Sequence, residues 1–218
     1  MGKEINLLKR YPKTSRNTSQ RYLQKNQETI KIAKKFGKEY FDGDRIYGYG
    51  GYYYHPKFWK DVVEDFINFY KINEKSKILD IGSGKGFMIY EFLKKIPNIY
   101  IRGLDISEYA ILNSKEEVKN LQILGNAKEL PFEDNFFDLA ISIVTLHNLN
   151  RNDCGLALKE ISRVSKNSYI TLDAFSNLKE KKQMSDWNLT AETVMHVEDW
   201  KNFFEENLYN GDYYWFKP

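Results

Sequence analysis

The sequence predicts a doubly wound α/β fold: a mostly parallel sheet of six or seven strands with helices on both faces, preceded by a helical, Tyr/Gly-rich cap. Three observations point to this fold. From residue 76, short apolar runs alternate with amphipathic segments, a glycine-rich turn joins the first run to the first helix, and acidic residues close the first two runs. Such alternation is typical of βαβ units. The 218 residues suffice to bury the core of one such domain.

The core begins with the strand Lys77–Ile81, and the helix Phe87–Lys95 follows the glycine turn until Pro97 stops it. The other predicted elements are, in order, strand Tyr100–Asp105, helix Ser107–Lys115, strands Leu121–Leu124 and Phe137–Val144, helix Cys154–Val164, strand Tyr169–Ala174, helix Val197–Glu206 and strand Tyr209–Phe216. A further strand within residues 188–195 would bring the total to seven. Ligands of such sheets bind outside the carboxyl ends of the strands.

Composition divides the chain into a basic, flexible arm at residues 1–27, a cap or lid at 28–75 and the core at 76–218. Residues 1–36 hold ten Lys/Arg and two Glu, although the net charge of the whole chain is only +3. The single cysteine, Cys154, excludes an internal disulfide. No stretch approaches the roughly 20 apolar residues that span a bilayer, and the N-terminus lacks a signal-peptide core. These features predict a cytoplasmic protein with no membrane partner.

The glycine-rich turn is the strongest motif in the chain. It reads Leu79-Asp-Ile-Gly-Ser-Gly-Lys-Gly-Phe87, with glycines spaced G-x-G-x-G, whereas the dinucleotide fingerprint is G-x-G-x-x-G. Asp80 stands just ahead of the turn, where a carboxylate suits an ammonium group better than a pyrophosphate. Asp105 ends the next strand, where a carboxylate can accept hydrogen bonds from both ribose hydroxyls. The spacing and Asp80 together argue against a nicotinamide oxidoreductase.

On these residues, and over roughly residues 76–175, the sequence resembles the small-molecule, methyltransferase-11-like branch of the class I S-adenosylmethionine (SAM)-dependent methyltransferases. The resemblance implies a Rossmann-like fold, SAM as cofactor, S-adenosylhomocysteine (SAH) as product, and no metal. The cofactor-binding residues that it implies are Asp80, Gly82, Ser83, Gly84, Gly86, Asp105, Ile106, Asn126, Ala127 and Thr145. Asn126 stands where members of the family often have Asp, and its amide oxygen can still accept from the adenine amine.

The tip of the fourth strand, Ile143 to Leu149, is expected to face the transferable methyl group. In the resembling family this tip lines the substrate site, and His147 is a candidate general base there. The alternative is a structural histidine that hydrogen-bonds nearby backbone. In the segment after the fifth strand, Asp173, Trp187, Glu192 and His196 are further candidates for the pocket.

A Gly/Tyr segment, residues 41–55, precedes the core and predicts a lid over the active site. Its glycines allow movement, and its tyrosines offer large faces with hydroxyl groups that can cover a sulfonium or a substrate. The candidate lid residues are Tyr47, Tyr49, Tyr52 and Tyr53. A packing or oligomer-contact segment is the alternative interpretation.

Together these features predict an enzyme that moves a methyl group from SAM to an oxygen or nitrogen of a small polar metabolite. Two alternatives stay open. The basic arm would suit an RNA methyltransferase, although the signatures of base methylation are missing and nucleic acid is not favoured as a partner. A non-catalytic SAM-binding partner protein would carry the same glycine turn.

Overall fold

The computed structural model describes residues 2–13 and 18–217. The helices are α1 Thr18–Gln24, α2 Gln27–Ala33, α3 Lys38–Phe41, α4 Pro56–Tyr70, α5 Phe87–Lys95, α6 Glu108–Leu112, α7 Glu116–Lys119, α8 Arg151–Val164, α9 Leu178–Trp187 and α10 Val197–Glu206. The strands are β1 Lys77–Ile81, β2 Tyr100–Asp105, β3 Gln122–Leu124, β4 Leu139–Ile143, β5 Ser168–Phe175, β6 Met195–His196 and β7 Asp212–Phe216. A 3₁₀ turn spans Leu146–Asn148.

The seven strands form one sheet in the order β3-β2-β1-β4-β5-β6, with β7 paired to β5. Strand β1 lies between β2 and β4. From β1 the chain adds β2 and β3 on one side of the sheet, and then crosses to add β4 and β5 on the other side. In a doubly wound sheet this is the point where the carboxyl ends of neighbouring strands open into a crevice. The predicted doubly wound parallel sheet with helices on both faces is confirmed, with seven strands among the residues described, whereas the N-terminal cap stays a prediction.

The far edge of the sheet differs from the expectation of a single terminal strand. The last residues of β5, Ala174 and Phe175, pair with the two-residue strand β6, whereas Tyr169–Asp173 pair with β7. Both pairings are parallel. The strand sought within residues 188–195 lies at the end of that range, and its short length explains why periodicity did not reveal it.

Apolar side chains cover the sheet on both faces. One core packs α8 and α10 against β4 and β5, with Leu158, Ile161, Trp200 and Phe204 fully or almost fully buried. The other core packs α4 and α5 against β1 and β2, and includes Val62, Phe66, Ile89 and Phe92. Burial on both faces is the reason why the central strands read as continuous apolar runs.

The start of α4 follows local chemistry. Pro56 occupies the first turn, and the His55 ring accepts a hydrogen bond from the Lys57 N–H. The predicted helix Ser107–Lys115 is wrong as a single element, because α6 ends at Leu112. The side chains of Asn113 and Ser114 donate to carbonyl groups of that helix, which favours a break before α7 begins.

Residues 2–13 contact the core, in contrast to the flexible arm predicted from their composition. The Ile5 N–H donates to the Tyr213 carbonyl at the edge of β7, and Leu7 is buried. The Arg10 guanidinium binds the Asp65 carboxylate through two hydrogen bonds of 2.9 and 3.0 Å. Apolar residues interspersed among the basic ones explain the packing. Part of the remaining arm, Thr18–Gln24, is helical. The division into arm, cap and core stays a prediction.

Candidate active site

A cavity of about 540 Å³ opens at the carboxyl ends of β1, β2 and β4. Its floor is the turn after β1, the end of β2 and the tip of β4. Its roof is the predicted lid segment, and residues 187–190, at the end of α9 and just beyond it, form a wall. Of the predicted site residues, those that line the cavity are Asp80, Gly82, Ser83, Gly84, Asp105, Ile106, Asn126, Ala127, Thr145, His147, Tyr49, Tyr52 and Tyr53. Gly86 and Tyr47 are not among the lining residues.

The glycine turn adopts a backbone that side chains would obstruct. Gly82 has φ +78°, and a Cβ added there would lie 2.1 Å from the Thr145 Oγ1. Gly84 has φ +53°, and its N–H donates to the Asp105 carboxylate at 2.7 Å. Gly86 faces Val118, away from the cavity, and is the N-cap residue of α5. The turn is thus open on the side that faces the cavity and tightly packed behind it.

Two buried carboxylates face this cavity without a cation. Asp80 is 5% exposed and Asp105 is 8% exposed, and neither has an ion-pair partner among residues 2–13 and 18–217. Burial, and then the charge of Asp105, raises the pKa of Asp80 to about 7. Burial also raises the pKa of Asp105, although hydrogen bonds from the backbone N–H groups of Ser107 and Gly84 act to lower it. These two carboxylate acceptors therefore suit a ligand with one positive charge and hydroxyl donors.

Residues just after β2 and β3 offer a mixed apolar and polar surface. Ile106 is 56% exposed beside the cavity, whereas Ala127 is buried. The Asn126 side-chain oxygen accepts the Lys128 N–H at 3.2 Å, and the Gly125 N–H donates to the Asp105 carbonyl. An aromatic base could stack on Ile106 while its edge meets this backbone.

The tip of β4 is strained and well packed. Val144 has φ +54°, an outlier for a β-branched residue. Strain of this kind is concentrated at functional sites in proteins. Thr145 follows, with its side chain against Gly82. The strand tip thereby touches the glycine turn directly.

His147 is 2% exposed and faces Asp173 across the ends of β4 and β5. Its Nδ1 accepts the backbone N–H of Asp173 at 3.1 Å, so the neutral ring carries its proton on Nε2. Nε2 lies 3.5 Å from the Asp173 carboxylate, which also accepts from the Asn188 amide. Both ring nitrogens therefore face groups of the protein.

The roof is an aromatic layer held by one ion pair. The Tyr52 ring stacks on Phe87 at 4.9 Å and lies above Gly84, and Tyr49 packs on Tyr52 at 4.4 Å. Tyr40 and Phe41, which were not predicted as site residues, also line the cavity. Burial raises the pKa of Tyr52, so that its hydroxyl stays protonated. The roof thus offers phenol donors and ring faces to a ligand.

Sequence reasoning missed the ion pair itself. Lys85 belongs to the glycine turn, and its ammonium binds both oxygens of Asp42 in the lid segment, at 2.8 and 2.6 Å. The Tyr109 hydroxyl and the Tyr52 N–H donate to the same carboxylate. Arg21 and Arg45, also missed, line the cavity beside Trp187. No local pattern links residues so far apart in the chain.

Within residues 2–13 and 18–217, no group of three or more His, Cys, Asp and Glu side chains could hold a metal ion. Cys154 is buried in α8, and burial raises the pKa of its thiol to about 12. In the same part of the chain, no helix has the length and apolar character needed to cross a membrane.

Fold and site together define a class: α/β proteins that hold a nucleoside-type ligand on a glycine turn, between one carboxylate ahead of the turn and another at the end of the next strand. Comparison with known proteins narrows the class. Residues 72–211 match the profile of the methyltransferase domain family. The chain therefore belongs to this family, and its resemblance to the class I SAM-dependent methyltransferases is confirmed.

Two curated relatives with different named activities are similar to part of the chain. The chain is 34% identical over 140 residues to the ubiquinone/menaquinone biosynthesis C-methyltransferase UbiE of Rickettsia felis, a match that covers 57% of this chain and 52% of that protein. It is 40% identical over 89 residues to the mitochondrial arginine-hydroxylase NDUFAF5 of Mus musculus, covering 40% of this chain and 25% of that protein. The chain thus spans a quarter to about half the length of these curated relatives.

A solved structure shares the fold. The phosphoethanolamine N-methyltransferase 2 of Haemonchus contortus, in complex with phosphomonomethylethanolamine and SAH, superposes with a TM-score of 0.55 at 19% identity. The match covers 85% of this chain and 43% of that chain. At this identity the likeness concerns the fold alone.

Proposed function

We propose that this protein transfers a methyl group from SAM to a small acceptor and releases SAH. The observation that carries the proposal is the pair of buried carboxylates, Asp80 and Asp105, beside a glycine turn with no cation between them. SAM supplies an electrophilic methyl group on a sulfonium, together with an ammonium group and a ribose diol. The carboxylate acceptors of the cavity match the ammonium group and the ribose hydroxyls.

The chain's own residues divide the task of holding the cofactor. Asp80 accepts from the ammonium group, and Asp105 accepts from the ribose hydroxyls while the Gly84 N–H holds its other side in place. The backbone of Gly82 and Ser83 lies along the methionine part. Ile106, Ala127 and Asn126 surround the adenine, with Asn126 as acceptor for its amine.

The acceptor lies between the tip of β4 and the tyrosine roof. This space is bounded by Thr145, Asn148 and Asp173 on one side and by Tyr40 and Tyr49 on the other. Such an enclosure suits a small polar metabolite that attacks through oxygen or nitrogen, because its walls can align nucleophile, methyl carbon and sulfur in one line. Exclusion of water by the aromatic rings strengthens every electrostatic contact inside.

His147 is better placed to position Asp173 than to act as the general base. A base needs a free lone pair within reach of the substrate proton, but Nδ1 of His147 already accepts a backbone N–H and Nε2 faces a carboxylate. Replacement by Gln should therefore lower kcat less than tenfold and leave the pH–rate profile in place. Loss of a limb from that profile would instead identify His147 as the base.

A carbon acceptor is the second candidate, because the Rickettsia relative is named as a C-methyltransferase. RNA as the methyl acceptor has less support, because Arg10 of the basic segment forms an ion pair with Asp65 in α4.

Tritiated SAM, presented with pools of small metabolites, quinols and RNA, separates these three classes of acceptor. Transfer to a small-molecule pool by wild type, lost in Asp105→Ala, is the expected result. SAH binding without transfer to any pool would favour a non-catalytic SAM-binding protein.

A further inference from the structure

Two arginines flank one tryptophan at the wall of the cavity away from the glycine turn. The guanidinium carbons of Arg21 and Arg45 lie 5.1 and 5.2 Å from the centre of the Trp187 ring. All three residues line the cavity. Trp187 ends α9, the helix that follows β5, so the cluster belongs to the acceptor side of the site and not to the β1–β2 side that holds Asp80 and Asp105.

The charge of this cluster is not compensated. Arg10, Arg151 and Arg163 each pair with a carboxylate, whereas neither Arg21 nor Arg45 has one within ion-pair distance among the residues described. Arg21 is only 7% exposed. Burial, and then the charge of Arg45, lowers the pKa of Arg21 to about 10. Two like charges held together near an enclosed space raise its affinity for an anion.

Backbone carbonyl groups hold the guanidinium groups in place without neutralising them. Nη1 of Arg21 donates to the carbonyls of Arg45 and Ile46, at 2.7 and 2.9 Å, and its Nη2 donates to Gly48. Nη1 of Arg45 also donates to the Gly48 carbonyl. The Nε of Arg21, and the Nε and Nη2 of Arg45, donate to no described residue. These guanidinium N–H groups can therefore donate to a ligand. The fork geometry of a guanidinium suits carboxylate and phosphate oxygens.

We propose that Arg21 and Arg45, with Trp187 beside them, bind an anionic group of the methyl acceptor, either a carboxylate or a phosphate. This inference rests on the proposed function and extends it to the substrate class. The cavity is then divided by charge: its acidic end takes the cationic cofactor, and its basic end takes an anionic acceptor. Like-charge repulsion from Asp80 and Asp105 would keep the acceptor anion at the arginine end.

The competing assignment is that the guanidinium groups hold the carboxylate of the cofactor's methionine part. SAH carries that carboxylate, and 5′-methylthioadenosine lacks the whole amino-acid portion. Calorimetric titration of both ligands into wild type and Arg45→Gln tells the two assignments apart. Arg45 is an exposed residue, so its replacement should leave the fold intact. The proposal predicts SAH affinity within twofold of wild type. At least tenfold weaker SAH binding, with 5′-methylthioadenosine unchanged, would overturn it.

The anion site is tested directly on the SAH-loaded protein. Phenyl phosphate and benzoate are titrated at constant ionic strength, with phenol as the neutral control probe. We expect both anions to bind wild type at least tenfold more tightly than phenol, and to lose at least tenfold in affinity in Arg45→Gln. Arg151→Gln, which removes an exposed arginine outside this cavity, should bind them as wild type does.

Equal affinity of wild type and Arg45→Gln for both anions would overturn the proposal. Preference for phenyl phosphate over benzoate would select a phosphorylated acceptor, and the reverse would select a carboxylate. If wild type does not bind SAH at all, the proposed function fails separately. The same anion titrations on the unliganded protein then decide for or against the subsite alone.

Discussion

Lys85 of the glycine turn and Asp42 of the lid segment form an ion pair that is almost fully buried, with side-chain exposures of 6% and 14%. The pair joins the predicted cofactor turn to the roof of the cavity. Burial acts to raise the pKa of Asp42, but the hydrogen bonds from Lys85, Tyr52 and Tyr109 outweigh it and lower the pKa. This ion pair thereby ties the lid segment to the glycine turn.

Asp42→Ala should destabilise the protein and loosen the lid. Removal of one partner from a buried pair leaves the other charge uncompensated, at a cost of about 3 kcal/mol. We expect a lower melting temperature and at least tenfold faster SAH dissociation in stopped-flow experiments. Glu198→Ala is the matched control, because it breaks an exposed pair with Lys201. Such pairs contribute about 0–1 kcal/mol. Equal dissociation rates in both variants would show that Asp42 does not restrain the lid.

Local patterns were sufficient to predict the centre of this fold. Apolar runs, a glycine turn and a proline stop place β1 and α5 at Lys77–Ile81 and Phe87–Lys95, as the structure has them. Helix α10 likewise matches its predicted range. These elements depend on burial and turn chemistry within a few residues of chain, which a sequence displays directly.

Contacts between distant segments could not be predicted in this way. The Glu4–Tyr213 bridge and the Arg21 contacts with the lid join residues whose pairing leaves no periodic signal. The same holds for His147, whose geometry depends on the Asp173 N–H from a different strand. The sequence therefore predicted many residues that line the cavity, but neither the contacts between distant segments nor Arg21, Arg45 and the Lys85–Asp42 ion pair.

Gly82→Ala should abolish tight cofactor binding. The left-handed backbone at φ +78° costs an alanine about 1–2 kcal/mol, and its Cβ would collide with Thr145. We expect calorimetry to show SAH binding at least tenfold weaker than in wild type. Gly37→Ala is the control, because φ there is −92° and an added Cβ meets nothing within 4 Å. Retention of wild-type affinity by Gly82→Ala would mean that the turn does not contact the ligand.

SAH binding should weaken as the pH falls below 7. Asp80 has its pKa raised to about 7, first by burial and then by Asp105, so it is largely protonated at pH 6 in the unliganded protein. A bound ammonium group favours the carboxylate and lowers that pKa, hence binding must release a proton.

The expected decline in affinity is up to about tenfold per pH unit. Titrations at pH 6 in buffers of different ionisation enthalpy should report nearly one proton released. In Asp80→Asn the release should vanish and the pH profile should flatten. Proton release that persists in this variant would assign the titration to another group, with Asp105 as the first to examine.

Calorimetric titration of SAH into wild type and Asp105→Ala shows whether the carboxyl ends of β1 and β2 hold SAM. Asp138→Ala is the matched control, because Asp138 precedes β4 at the opposite end of the sheet and pairs with Lys166. We predict micromolar binding by wild type and Asp138→Ala, and at least a hundredfold loss in Asp105→Ala with the fold retained by circular dichroism. No binding by folded wild type, or equal affinity in all three proteins, would mean that the cofactor does not bind at this end of the sheet.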